Sequence, residues 1–171
     1  PHHLILTEDL VSSYNPIYKV NPPLRSQEDV LALREAVADG TIDIVATDHA
    51  PHTADSKDCE WGEAAFGMIG LETAAAIVKT TLIDTGLIDW KRFEEVLSLN
   101  PTKISGLSDQ GQRIAVGSFA NIVFFDPSTS FQVSKESQSK SRNNPYLGMS
   151  LSGTVVHTCL LYTSPSPRDR Q

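Results

Sequence analysis

The chain is poor in cysteine: Cys59 and Cys159 are the only two in 171 residues. That count excludes a disulfide framework and a Cys-x-x-Cys zinc site. It also lacks any apolar run near the roughly 20 residues that a membrane-crossing helix needs. Basic residues are outnumbered, 14 Lys and Arg against 21 Asp and Glu, for a formal net charge of −7. No Lys/Arg cluster offers the footprint of a nucleic-acid binder. No charged-apolar-small leader opens the chain, so a reducing cytoplasm is the expected compartment. What is present, 40% hydrophobic and 20% charged residues, is the balance of a globular protein rather than a disordered one.

Both ends are unusual. The chain starts at Pro1 and enters His2-His3-Leu4-Ile5-Leu6 directly. An apolar strand with no approach to it implies that the true N-terminus lies upstream. From Ser164 the composition turns to Ser, Pro and Arg, and apolar periodicity is lost. Residues 159–171 are therefore expected to be a non-native or disordered tail outside the fold.

Between the ends the pattern alternates. Ser12 to Pro23 is a proline-fenced loop. Ser26-Gln27-Glu28-Asp29 has the form of a capping box, followed by Val30, Leu33, Ala36 and Val37 on one helical face and Asp39-Gly40 as its stop. Thr41 to Thr47 reads as a buried strand. Residues 53–66 form a long polar loop. Gly70 opens a helix with the stripe Leu71, Ala74, Ala75, Val78 and Leu82. Asp89 caps another, and Asn100-Pro101 restarts a further one that Gly106 closes. Short strands are then expected at 113–117, 121–127, 131–133 and 154–158, linked by the polar stretch 134–144. This is an α/β chain with two expected domains: residues 1–107, and a small β module over 108–158.

The chemistry concentrates where the Thr41–Thr47 strand ends, in Asp48-His49-Ala50-Pro51-His52. A carboxylate at the mouth of a buried strand can bind a metal ion and carry a proton. An isolated Asp there more often anchors a loop, but the two histidines in the same turn favour function. Of these, one is expected to contact a ligand and the other to support the turn. His2 and His3, in or beside a strand, are expected to point to opposite faces. Asn21 could pair with an amide edge, and Gly67 would let a ligand approach the backbone closely. Cys59 has no base beside it and reads as incidental.

Taken together, Pro1-His2-His3-Leu4, Asn21-Pro22-Pro23-Leu24-Arg25, Thr47-Asp48-His49-Ala50-Pro51-His52, Phe66-Gly67-Met68-Ile69-Gly70-Leu71-Glu72-Thr73 and Asn100-Pro101-Thr102-Lys103-Ile104 occur in order. With the Gly117 to Asp126 segment, they resemble the C-terminal part of class I bacterial dihydroorotase, of the amidohydrolase superfamily, over residues 1 to about 158. The resemblance implies the C-terminal part of a (β/α)₈ TIM-type barrel plus a small β-sandwich module, and a binuclear Zn²⁺ centre. It implies reversible cyclisation of N-carbamoyl-L-aspartate to L-dihydroorotate in pyrimidine synthesis.

In that picture Asp48 is both metal ligand and catalytic proton carrier. His52 holds the substrate carboxylate, and Asn21 with the backbone around Phe66 and Gly67 holds the ring edge. His49 is left as support. The other metal ligands of the family lie upstream of Pro1, and one ligand cannot hold two zinc ions. The chain by itself is thus expected to be inactive. Its implied partners are a small-molecule substrate and, for the parent, a homo-oligomer or an aspartate transcarbamoylase complex. Two alternatives stand: another cyclic amidase such as a hydantoinase or allantoinase, and a non-catalytic dihydroorotase-like subunit that scaffolds aspartate transcarbamoylase.

Overall fold

The computed structural model describes residues 1–160. The expected tail falls outside the described residues from 161 onward; Cys159 is the last residue of a strand. The helix expected after Ser26 is α1, Gln27–Asp39. Its capping box is closed: the Asp29 amide donates to Ser26 Oγ at 3.2 Å and the Ser26 amide to Asp29 Oδ2 at 3.3 Å. A cap of this kind stabilises a helix by about 1 kcal/mol. Val30 and Val37 are its buried residues, and Gly40 ends it at φ +90°.

Two expected strands take other forms. Leu4-Ile5-Leu6 finds no neighbouring strand, so its amides bond locally. His2–Leu4 is a 3₁₀ turn, with Leu4 N–H on Pro1 O and Leu6 N–H on His2 O, both at 2.9 Å. The Thr41–Thr47 segment carries no ladder and, against the expectation of a buried strand, none of its residues is buried, since it has almost nothing beside it to pair with. Its amides are met singly, Val45 N–H by Val96 O at 3.0 Å, and Met68 runs parallel beside it only at His49.

After the four-residue α2, Ala54–Lys57, the chain enters α3, Ala74–Val78, which continues through a π turn at Lys79–Ile83. Leu71 does not join the expected stripe; it is exposed, while Ala74, Ile77, Val78 and Leu82 are buried. The reason is local. Residues 71–73 form a turn, and the Gly70 and Leu71 amides donate to His49 Nδ1.

Asp89 caps α4, Trp90–Glu94, by accepting from the Arg92 amide. Asn100-Pro101 does not restart a helix. A π turn at Glu95–Leu99 joins α4 to α5, Asn100–Ser105, and Leu99 and Asn100 both have right-handed helical angles. Proline has no N–H for the regular ladder, and a wider turn ahead of it accommodates that loss without breaking the helix. Asn100 spends its side chain on Asp43 O instead.

The β part is an antiparallel hairpin of β1, Ile122–Gln132, and β2, Ser150–Cys159. The expected strands 121–127 and 131–133 merge into β1 because a bulge between Asp126 and Ser130 absorbs Pro127. A bulge residue need not donate to the ladder. Asp126 organises it, accepting from Ser128 and Thr129, and these bonds pull its carboxyl down to about 2. Residues 113–117 form no strand, and Ile114 and Val116 are exposed.

One core unites these pieces. Leu4, Leu6, Val20, Leu24, Met68, Ile77, Leu82 and Val96 pack in the same cluster as Val133, Tyr146 and Leu151. Arg92 adds polar ties, donating to Val37 O and Ile42 O.

Candidate functional site

Asp48 ends the extended segment with a backbone bend. Its φ is +46°, and besides Tyr14 it is the non-glycine residue described with positive φ. Aspartate tolerates this left-handed region better than most residues. Its side chain is exposed and accepts no hydrogen bond from the described residues. The charge faces the chain's first turn. Burial lowers the His3 imidazole, while Asp48 pulls in the opposite direction. The His2 and His3 rings do not point apart as expected; in the 3₁₀ turn their centroids lie 4.3 Å apart. His2 is buried, and burial is the largest cause that brings it down to about 3, with His3 adding to it. His3 Nε2 is buried with no hydrogen-bond partner among the described residues.

His49 and His52 part ways after the bend. His49 Nδ1 accepts from the Gly70 and Leu71 amides at 3.2 Å each, fastening the entrance of α3. His52 Nε2 lies 2.8 Å from Phe66 O. A carbonyl only accepts, so that nitrogen carries the proton and Nδ1 is left for other company. Gly67 is required here. At φ +123°, a Cβ would sit 2.5 Å from Ala50 Cβ and 3.1 Å from His52 Nε2.

Three segments converge on the Gly67 peptide. Its N–H donates to Lys19 O at 2.9 Å. Its carbonyl accepts from Lys57 Nζ at 2.9 Å and Asn143 Nδ2 at 3.2 Å. The Gly67 peptide groups are thus committed to protein partners. The Phe66 N–H has none among the described residues, and neither does the exposed Asn21 amide, two residues beyond Lys19. Lys19 is itself buried. Its ammonium meets Trp61 O and Gly62 O at 2.6 and 3.1 Å and lies 4.6 Å above the Phe66 ring.

The polar stretch 134–144 holds two residues that its sequence concealed. Ser141 and Asn143 are buried. The His52 amide donates to Ser141 Oγ at 2.9 Å, Ser141 Oγ donates back to His52 O at 2.5 Å, and Asn143 Nδ2 reaches Ala50 O at 2.8 Å. Asn143 Oδ1 also faces Ser141 Oγ, so His52 O and Asn143 Oδ1 share its one hydroxyl proton. Lys135 and Lys140 behave as the solvated surface expected of this stretch.

The structure therefore brings together the segments that carry Asn21, His52, Phe66 and Gly67, with Asp48 four residues ahead of His52. Sequence reasoning missed Lys19, Lys57, Ser141 and Asn143. A signal existed for Lys57, the one basic residue of 53–66 among Asp55, Asp58, Glu60 and Glu63. None distinguished Ser141 and Asn143 from their linker. Toward a metal ion, the described residues offer the Asp48 carboxylate, which has no hydrogen bond among them. No group of three or more His, Cys, Asp or Glu side chains is placed to hold an ion among the described residues.

The Amidohydrolase family model matches residues 12–160. The chain is 55% identical over 161 residues to a dihydroorotase of Streptomyces coelicolor, covering 94% of this chain and 38% of that protein. It is 48% identical over 159 residues to a dihydroorotase of Caldanaerobacter subterraneus, covering 92% and 36%. The chain thus spans less than two-fifths of the length of these relatives. Among solved structures, L-hydantoinase from Arthrobacter aurescens superposes with a TM-score of 0.83 at 32% identity, over 93% of this chain and 36% of that one. A dihydroorotase from Saccharomyces cerevisiae in complex with 5-fluoroorotic acid gives 0.70 at 18% identity, over 90% and 41%, and shares the fold. The chain accordingly shares the mixed α/β architecture of these barrel proteins over the part of their length that it spans.

Proposed function

Because the chain belongs to the amidohydrolase family, we propose that it is the C-terminal part of a zinc-dependent dihydroorotase. The reaction is the reversible closure of N-carbamoyl-L-aspartate to L-dihydroorotate in pyrimidine synthesis. The observation that carries this reading is the turn from Asp48 to His52. A carboxylate free of hydrogen bonds is held by a left-handed backbone, four residues ahead of an imidazole fixed to Phe66 O. The names of the relatives above support the substrate.

Asp48 would hold one zinc ion, together with ligands from the part of the relatives' length that this chain does not span. The bound metal would supply Lewis-acid polarisation and an activated water. In the ring-opening direction Asp48 would take the proton of the attacking water and pass it to the amide nitrogen that leaves; in closure it would take the proton of the attacking nitrogen and pass it to the oxygen that leaves as water, which is general base and then general acid work. His52 offers Nδ1 to the substrate carboxylate. Binding a carboxylate there needs a proton on Nδ1 as well as on Nε2. Asn21 and the Phe66 N–H, both without protein partners, pair with the ring edge, and Gly67 leaves the space. Residues 1–107 form the barrel part and 108–158 the small β module packed on it. The parent would work in the cytoplasm, alone, as a homo-oligomer or beside aspartate transcarbamoylase.

The test is turnover of the full-length parent with zinc and carbamoyl aspartate at mildly acidic pH. Dihydroorotate should form, and Asp48→Asn should slow it roughly a thousandfold, the scale of a lost proton-transfer group. Near-normal turnover by Asp48→Asn would remove the proton-transfer role. The hydantoinase likeness makes hydantoin the competing substrate, and turnover of hydantoin without dihydroorotate would replace this reading. An inactive parent would favour the scaffold subunit.

A further inference from the structure

Lys57 is buried, 8% exposed, in a loop otherwise rich in acids. None of the ion pairs among the described residues includes it. Its ammonium is met by carbonyls alone: Gly67 O at 2.9 Å, Ala65 O at 3.0 Å and Lys19 O at 3.4 Å. An ammonium has three N–H donors, and here the three carbonyls replace the water that burial removed. Those carbonyls come from two separate segments. Lys19 leads into Asn21. Ala65 and Gly67 bracket Phe66, whose N–H has no protein partner.

We propose that Lys57 is a positioning residue for substrate binding, setting the distance between the Asn21 arm and the Phe66-Gly67 backbone so that both meet the same cyclic amide edge. The inference rests on the dihydroorotase reading and adds to it a residue that does not touch substrate. The Gly67 N–H to Lys19 O bond and the Lys19 ammonium on Trp61 O, Gly62 O and the Phe66 ring already join the two segments, but they leave a hinge, because none of them ties the Lys19 and Gly67 carbonyls to each other. The Lys57 ammonium adds contacts on Lys19 O and Gly67 O and turns the hinge into a brace. Lys57 is nine residues from Asp48, and Asp48 has no hydrogen bond or ion pair to the brace among the described residues. Loss of the brace should therefore weaken binding of the ring and leave the proton transfer in place. In kinetic terms KM rises and kcat holds, the pattern of lost uniform binding.

The experiment uses the zinc-loaded full-length parent with dihydroorotate. Lys57→Met keeps the length and apolar stem and removes the donors; KM should rise at least tenfold with kcat within threefold. Lys57→Gln keeps two donors and should recover part of that KM. Lys79→Met is the control. Lys79 is equally buried but serves Asp84 and Ser152, so its loss should leave KM within twofold even if the melting temperature drops. A folded Lys57→Met with wild-type KM overturns the proposal, as does a fall in kcat at constant KM. So does a KM rise of equal size in Lys79→Met. Failure of both Lys57 variants to fold while Lys79→Met folds overturns it too, because the role is then structural. The wild-type control keeps the two readings apart. Turnover of hydantoin in place of dihydroorotate overturns the substrate assignment, and the same KM comparison is then read on hydantoin.

Discussion

Gly67 shows how tightly single residues are specified around the Asp48–His52 turn. Its φ of +123° is one that a side chain strains, and the missing Cβ is the space that Ala50 Cβ and His52 Nε2 need. Gly67→Ala should destabilise the fold by about 2 kcal/mol or more, from backbone strain and overpacking together. It should also raise KM, since His52 must move off Phe66 O. Gly40 is the comparison, with φ +90° and nothing within 4 Å of the point where a Cβ would stand. Gly40→Ala should cost about 1 kcal/mol, strain alone, and leave KM unchanged. Urea denaturation and steady-state kinetics of the two variants check this. At the same scale, Asp48, His52 and Gly67 stood out in the sequence because each is unusual for its place. Ser141 and Asn143 did not, because a buried serine and a buried asparagine look like their solvated counterparts until their partners are known, and Lys57 showed only as a lone base among acids.

The elements reveal a dependence that runs backwards along the chain. Ser141 and Asn143, just ahead of β2, close hydrogen bonds on Ala50, His52 and Gly67. Asn143→Ala leaves Ala50 O without its amide donor and takes one of two donors from Gly67 O. A loss of about 1–3 kcal/mol is expected, the cost of unmet buried polar groups. Because Ser141 Oγ also bonds Asn143, Ser141→Ala and Asn143→Ala should be non-additive, with a coupling of at least about 0.5 kcal/mol in a double-mutant cycle. Additive effects would mean that the two residues act separately. Local signals made α1 legible, since its capping box, periodic valines and terminal glycine all lie within the helix itself. The strands were less so, because a strand is defined by its neighbour. Leu4-Ile5-Leu6 and Thr41–Thr47 have strand composition but little or nothing beside them to pair with. Pro127 looked like a strand break, yet a bulge carries β1 past it. Asn100-Pro101 looked like a helix start, yet the π turn of Glu95–Leu99 carries the helix through.

At the scale of the whole molecule, one core joins the first turn, the helices and the hairpin, so a charge forced into any part should weaken all of it. The first turn supplies that charge. His2 is buried and held down to about 3, with burial the largest cause, and His3 is lowered as well. A histidine lowered in the fold takes up its proton more readily unfolded. Its contribution is therefore complete above the ordinary value of 6.5 and is lost as pH falls from there towards 3. Each such group gives a slope of up to about 1.4 kcal/mol per pH unit. An opposing effect exists, because the net charge of −7 shrinks towards the isoelectric point near 5.1 and relieves self-repulsion. At 0.15 M salt the Debye length is about 8 Å, which screens the surface charges far more than the buried rings. The histidine effect should win, and stability should fall from about pH 6.5 to about 4.5, ahead of the main carboxylate titrations. Subtracting the pH profile of His2→Gln from that of the wild type isolates the ring, since every other group is common to both. The difference should be flat above about pH 7 and should shrink as the pH drops, because the wild type loses a contribution that glutamine never had. A difference that stays constant from about pH 7 to about 4.5 would mean that His2 keeps an ordinary affinity for its proton in the folded protein.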